Sequence, residues 1–469
     1  MKTRPLFWII VWLSLVAIAC NLSSTAERPP TLVPRVGGAT VTAPPTLGFS
    51  TPLPGATAQP GVAVTASVAQ TKAEIEMYNL LSQVESDRLM LHVENLVGFQ
   101  TRHVNSSKTD PTRGIGAAFN YIMSQFLAIQ AEAPDFFVFP EGHEFKAVTG
   151  DGIESIQHNA VAILQGTEAN AGVVVIGAHY DSRTDDLLDA NAFAPGAADN
   201  GSGVAAVLEL ARVLSKHPQR ATIIFVLFSA EEHNRQGSRA FVADYILPLN
   251  DPNVVMLNLD TIGNWNDSRG NINDRQMRLF SAPPNDSTSR QLARTIKFLG
   301  ATFALNVESD MLDIALQDQI DREGRFGDHE SFYERGFPAI RFIEALEDSS
   351  MREGRDELRG VEPAYMTRAT KTVLGVVLGL AGGPRPPQNI TLRDNGNGTA
   401  SLVWESVPGA TSYIVALRRP GALDTNTHWI EIEPRTANWD KWWEYEAVYV
   451  AAVDESGMIG PLSREFRIR

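Results

Sequence analysis

Three almost wholly apolar runs constrain this chain more than anything else in it. They are "GVVVIGAHYD" at 172–181, "TIIFVLFSAEE" at 222–232 and "VVMLNLD" at 254–260. Each is too short to cross a membrane and too continuous for a strand with one wet face, so each reads as a strand covered on both sides. Helical patterns lie between them, in "GSGVAAVLELARVLSKH" (201–217) and "QGSRAFVADYIL" (236–247). Strand and helix therefore alternate. That order predicts an α/β fold with a mostly parallel or mixed central sheet and helices on both faces. "NAVAILQG" (159–166) and "FPAIRFIEA" (337–345) extend the strand list. "GIGAAFNYIMSQFLAIQ" (114–130), "STSRQLARTIKFLG" (287–300) and "AYMTRATKTVLGVVLGLAG" (364–382) extend the helices. Before them, "AEIEMYNLLSQVESDRLMLHVENLV" (73–97) reads as helical, with Ile75, Leu80, Leu81, Val84 and Leu91 on one side.

The apolar runs share a second property: they end in imidazole or carboxylate. His179 and Asp181 follow the first, Glu231 and Glu232 the second, and Asp260 the third. Asp199 stands in "GAADNGSG" before a helix, and His329 in "RFGDHESF" before a strand. Ligands of open parallel sheets bind beyond the carboxyl ends of the strands. Two imidazoles and several carboxylates would thus meet on one rim. That donor set, without thiolate, suits Zn²⁺, with Mn²⁺ or Co²⁺ as substitutes. Two ions sharing one bridging carboxylate, each with one further carboxylate and one histidine, would use five ligands. One glutamate is left over to move a proton. Taken singly these motifs are weak. "DNGSG" is an ordinary helix start with Asp199 or Asn200 as cap, and "EE" at a strand end is usually solvated charge.

In order, however, "GAHYDS", "GAADNGSGVAAVLELAR", "FSAEEHNRQGSRAF", "NLDTIG" and "GDHESFYERGFPAIR" resemble the successive motifs of the co-catalytic two-zinc aminopeptidases of metallopeptidase clan MH. The resemblance spans roughly Lys72 to Gly382 and implies a zinc-exopeptidase fold acting on peptides with a free N-terminus. It implies that His179 and Asp260 bind one zinc, Glu232 and His329 the other, and that Asp199 bridges both. Glu231 would be the general base, and Asp181 would orient His179. It also implies a cis peptide bond between Asp199 and Asn200. The chain departs from the family in two places. His233-Asn234 follows the glutamate pair, where a glycine is common. Asp328 stands where some members carry an oxyanion-stabilising tyrosine, with Tyr333 and Arg325 nearby in sequence. Competing readings are a carboxypeptidase or dipeptidase, for which Arg183, Arg325 and Arg341 are spare cations; a glutaminyl cyclase on the same scaffold; and a binding ectodomain without catalysis. The remaining histidines (His103, His143, His158, His217, His233 and His428) read as surface or structural, His158 in "IQHNAVAIL" being the first candidate for an exception because its place is near the sheet.

The ends differ in texture. Residues 1–20 carry early positive charge, an apolar stretch and small residues before Cys20, the single cysteine. This is a secretory pattern, and "VAIAC" resembles a lipoprotein signal with Ala17 in place of the usual leucine. The expectation is export, with a lipid on Cys20 as membrane anchor. Residues 21–68 are rich in Pro, Thr, Ala and Gly and read as a disordered linker. The peptidase-like region covers 69–383. Residues 385–469 alternate between short strands and turn signals, as a small β-sandwich does. Trp404 before "VPGATSYIVALRR" gives that tail a resemblance to a fibronectin type III module, which would bind a surface, carbohydrate or protein ligand. A net charge of −15 excludes a basic nucleic-acid footprint.

Overall fold

The computed structural model describes residues 70–306, 310–318, 327–350, 353–430 and 436–468. The expected signal segment with Cys20, the linker at 21–68 and Arg325 lie outside the described residues. Nine strands form one sheet: β1 Phe136–Val138, β2 His143–Val148, β3 Glu154–Leu164, β4 Val173–His179, β5 Thr222–Phe228, β6 Val254–Leu259, β7 Gln276–Ser281, β8 Asp313–Leu316 and β9 Ala339–Glu344. Their order is β1-β3-β5-β4-β6-β9-β7-β8, with β2 paired to β3. The centre, β5-β4-β6-β9, is parallel, and β7-β8 is a second parallel pair. The other pairings are antiparallel, so the sheet is mixed. Every residue of β4, β5 and β9 is buried, which requires cover on both faces.

Register brings the rim residues level. His179 pairs with Phe228 across β4 and β5, and Gly177 pairs with Asn258 across β4 and β6. Two residues further along each strand, His179 and Asp260 stand side by side where the sheet ends.

The long N-terminal helical reading divides in two: α1 (Lys72–Leu81) and α2 (Ser86–Gly98). Thr71 and Glu74 form a reciprocal capping box at the start of α1. The turn at 82–85 shifts the helical phase. Leu80, Leu81 and Val84 are buried as expected, but Ile75 is 49% exposed and Leu91 53%. Met77, Leu89, Val93 and Leu96 fill the core instead. The other main helices are α3 (Ile115–Glu132), α4 (Gly203–Leu214), α5 (Gln236–Phe241), α6 (Thr288–Asn306), α7 (His329–Tyr333) and α8 (Pro363–Val377). Gly203 opens α4 close to the end of β6, and a Cβ there would lie 2.4 Å from the Leu259 carbonyl oxygen. Only glycine allows that approach.

The tail forms two antiparallel sheets. One holds β10 (Thr391–Asp394), β11 (Ala400–Val403) and β14 (Thr436–Trp439); the other holds β12 (Ala410–Arg418), β13 (Asn426–Ile430), β15 (Ala447–Asp454) and β16 (Phe466–Arg467). A shared core of Leu402, Trp404, Tyr413, Val415, Trp442 and Val450 joins them. The tail is docked on the larger sheet's helices. Arg294 of α6 is buried and donates to the Leu423 carbonyl, with Glu465 3.5 Å away. Glu465 also pairs with Arg418 at 3.1 Å, and Arg220 pairs with Asp454 at 2.7 Å.

Candidate active site

The sheet rim gathers six of the seven residues picked from the sequence, and His329 lies at its edge. His179 ends β4 with its ring fully enclosed. Its Nε2 lies 3.1 Å from Asp199 Oδ1 and 3.7 Å from Asp260 Oδ1. Its Nδ1 faces Asp181, 3.2 Å from the main-chain oxygen and 3.6 Å from the carboxylate. The Asp181 carboxylate also accepts the backbone N–H of Glu231 at 3.1 Å and of Glu232 at 3.2 Å. One side chain thus ties the β4 end to the glutamate turn after β5. There the chain leaves the strand through Ala230 at φ +60, and strict alternation stops. Adjacent glutamates are then free to share one site.

Asp199 sits in the turn before α4, and the Asp199–Asn200 peptide is cis. Asn200 performs the capping expected of such a turn. Its Oδ1 accepts from Gly203 N and Thr261 N, and its amide donates to the Leu259 carbonyl. Asp199 itself is positioned by Asp356, whose carboxylate accepts the N–H of Ala198 at 2.9 Å and of Asp199 at 2.7 Å. Beneath this turn lies Arg102, wholly buried. Its guanidinium donates to the carbonyls of Tyr180 (2.7 Å), Leu96 (3.2 Å), Pro195 (2.5 Å) and Gly196 (2.9 Å). Arg102 therefore joins the loop after β4 to the loop that carries Asp199. Neither Arg102 nor Asp356 announced itself in the sequence. The lone signal was a charged residue in an otherwise ordinary turn, "FQTRHVN" or "GRDELRG".

Asp260, at the end of β6, has Arg341 Nε 3.0 Å from its Oδ2. Arg183 pairs with Glu232 at 2.6 Å and with Glu353 at 3.1 Å. Two of the three spare arginines, Arg183 and Arg341, are thus engaged with carboxylates of the site. Asp328, in the tyrosine position, is fully buried; burial, with Asp181 and Asp260 adding to it against His179, pushes its carboxyl up to about 7. His233 and His103, both buried, approach each other at 3.2 Å between Nε2 atoms, and His103 Nε2 lies 2.8 Å from the Leu187 carbonyl. The His233 departure therefore braces the glutamate turn against the 183–194 loop. His158, on β3, packs against Phe119 with the rings tilted at 36°.

The charge balance of the rim asks for cations. Burial, reinforced by Asp199, raises Glu232 to about 8, and burial with Glu232, Asp328 and Asp260 raises Glu231 well above the carboxylate range. Burial opposes a charge on His179, yet Glu231, Asp181, Asp199 and Asp260 outweigh it and hold the imidazole well above its ordinary value. Buried carboxylates this close repel one another unless positive charge enters. Two ligand sets meet that need: His179, Glu231 and Glu232, and His179, Asp199 and Asp260, with one donor atom of each residue within 4.8 Å of the others. His329 belongs to neither set. Its ring is buried nearby, and burial together with Arg341 lowers it to about 3, so it stays a neutral ligand candidate. Nitrogen and oxygen donors of this kind fit zinc.

Fold and site together define a zinc-dependent peptidase built on a mixed α/β sheet. Comparison with known proteins makes the class specific. The pattern of Peptidase family M28 matches residues 159–377. A probable zinc metalloprotease of Phaeosphaeria nodorum is 30% identical over 429 residues, covering 81% of this chain and 84% of its own. One from Pyricularia oryzae is 32% identical, covering 76% and 77%. Among solved structures, the Legionella pneumophila LapA aminopeptidase superposes with a TM-score of 0.50 at 22% identity, over 65% of this chain and 74% of that one. The chain belongs to Peptidase family M28.

Proposed function

We propose that this chain is an exported aminopeptidase that uses two zinc ions to remove N-terminal residues from peptides. The observation that carries the reading is the convergence of His179, Asp199, Glu231, Glu232 and Asp260 in two overlapping ligand sets on one rim. His179 and Asp260 would hold one ion and Glu232 and His329 the other, with Asp199 between them. Zinc bound there supplies Lewis-acid polarisation of the scissile carbonyl and lowers the pKa of water. Glu231 takes the proton of the attacking water on its carboxylate and returns it to the leaving amine nitrogen. Asp181 holds Glu231 and Glu232 by their amides and His179 by its Nδ1, so base and ligands share one brace. Asp356 does the same for Asp199.

Among the described residues, Arg183 is engaged with Glu232 and Glu353 and Arg341 with Asp260, so neither offers the free cation a carboxypeptidase needs for the substrate's C-terminus. The acidic rim suits a substrate amine. The secretory pattern and Cys20 support export and a lipid anchor on the outer side of a membrane. The three-plus-four strand arrangement of the tail, with Trp404 against Tyr413, supports a fibronectin type III-like module.

The test is hydrolysis of a panel of free and N-blocked aminoacyl amides before and after exhaustive chelation. Free amines should be cleaved, activity should vanish on chelation, and it should return at two zinc ions per chain. Activity that survives chelation, or a preference for blocked amines, would overturn the reading.

A further inference from the structure

Behind His329 lie buried polar atoms that no group among the described residues satisfies. Asn258 is fully buried on β6, yet among the described residues neither its Oδ1 nor its Nδ2 has a hydrogen-bond partner. Among the same described residues the Nδ1 of His329 has no partner either. Both flank Gly327: a Cβ on that glycine would lie 3.0 Å from His329 Nδ1 and 3.1 Å from Asn258 Nδ2. A carboxamide buried without partners in a central strand costs stability that leucine or valine would not. Its retention beside an equally unpaired imidazole calls for a joint role.

Resting on the two-zinc reading above, we propose that Asn258 is the positioning residue of His329. Its carboxamide oxygen takes the imidazole Nδ1–H through one buried water, and so presents the Nε2 lone pair to the metal. A half-turn of the carboxamide exchanges Oδ1 and Nδ2 without breaking any hydrogen bond among the described residues. The sheet gives a reason for the location. Asn258 lies two residues before Asp260 on β6, hence on the same face, and its register partner on β9 is Arg341, which holds Asp260. One strand would thus furnish a ligand of one ion and align a ligand of the other. A Cβ at position 327 would press on both groups at once, so the glycine leaves room for their alignment. Metal-bound histidines generally need such an acceptor on the second nitrogen, and its loss typically weakens metal binding 10- to 100-fold.

The decisive variant is Asn258→Leu, similar in size and apolar. In zinc-free protein it should melt at or above the wild-type temperature, because a buried carboxamide NH2 without a partner among the described residues has gone. Its weaker zinc site should nevertheless lose roughly 10- to 100-fold in affinity, measured by chelator competition, while the tighter site is unchanged. Nitrogen NMR of histidine-labelled, zinc-free protein should show one imidazole losing its Nδ1–H tautomer. Asn258→Asp, which keeps an acceptor, should retain both ions. Gly327→Ala should reproduce the defect of the leucine variant. If Asn258→Leu or Gly327→Ala binds both zinc ions with wild-type affinity, the proposal is wrong, and loss of an ion in Asn258→Asp counts against it equally. Wild-type protein that binds no zinc would instead sink the metallopeptidase reading itself.

Discussion

Replacing Arg102 by methionine tests how the site is held. The side chain is wholly buried and donates to four main-chain carbonyls drawn from α2, the loop after β4 and the loop before Asp199. Burial lowers its pKa to about 10 even though Asp356, Asp181, Asp199 and Glu232 pull the other way, so the cation is expensive to bury and is compensated by its partners. Methionine keeps most of the volume, but four carbonyls and the Asp356 carboxylate lose their counterpart. Removing one partner of a buried charged set typically costs about 3–5 kcal/mol. The four bonds do not each add their separate value, because freed carbonyls find water or relax. At roughly 2 °C per kcal/mol for a body of this size, the melting temperature should fall by about 6–10 °C. Zinc affinity should fall as well, since the loops carrying His179 and Asp199 are no longer tied together. Calorimetry of chelated and zinc-loaded protein, with chelator competition, measures both effects. Arg102→Lys should be intermediate, as one ammonium cannot span four carbonyls. A methionine variant melting within about 1 °C of the parent and binding zinc equally well would refute the brace.

Two further outcomes follow from the same geometry. Glu231→Gln should lower turnover by about 10²–10⁴-fold while the zinc content holds; if zinc is lost instead, Glu231 is a ligand and the roles of the two glutamates are exchanged. His92 is buried with Nδ1 2.8 Å from the Tyr121 hydroxyl, and burial, aided by Arg88 and Arg212, lowers its pKa from 6.5 to about 4. Between those values the unfolded chain binds a proton that the folded chain refuses, so stability falls as pH drops through that window. The distance between the two values corresponds to about 3 kcal/mol. Urea titrations of His92→Gln against wild type should show that much less acid sensitivity between pH 6.5 and 4, and parallel curves would contradict it.

What the sequence determined by itself was whatever is written locally along the chain. Continuous apolar runs marked β4, β5 and β6, because strands buried on both faces cannot alternate. The residues at their ends were found because a strand's end is where a polar side chain first becomes tolerable. Strands β1, β2, β7 and β8 are not legible in it, being short or half-polar, and neither is the phase break between α1 and α2 that turns Ile75 and Leu91 outward. Only the tertiary structure decided which polar groups hold the rim in place. Asp356 reaches Asp199 across 157 residues of chain, Arg102 reaches Gly196 across 94, and His233 meets His103 across 130. No periodicity records such pairs, since a hydrogen bond between distant segments exists only after packing has brought them within about 3 Å. The same holds for the empty valences of Asn258 and His329. An unmade bond leaves no trace in a sequence and becomes visible only when every neighbour has been placed.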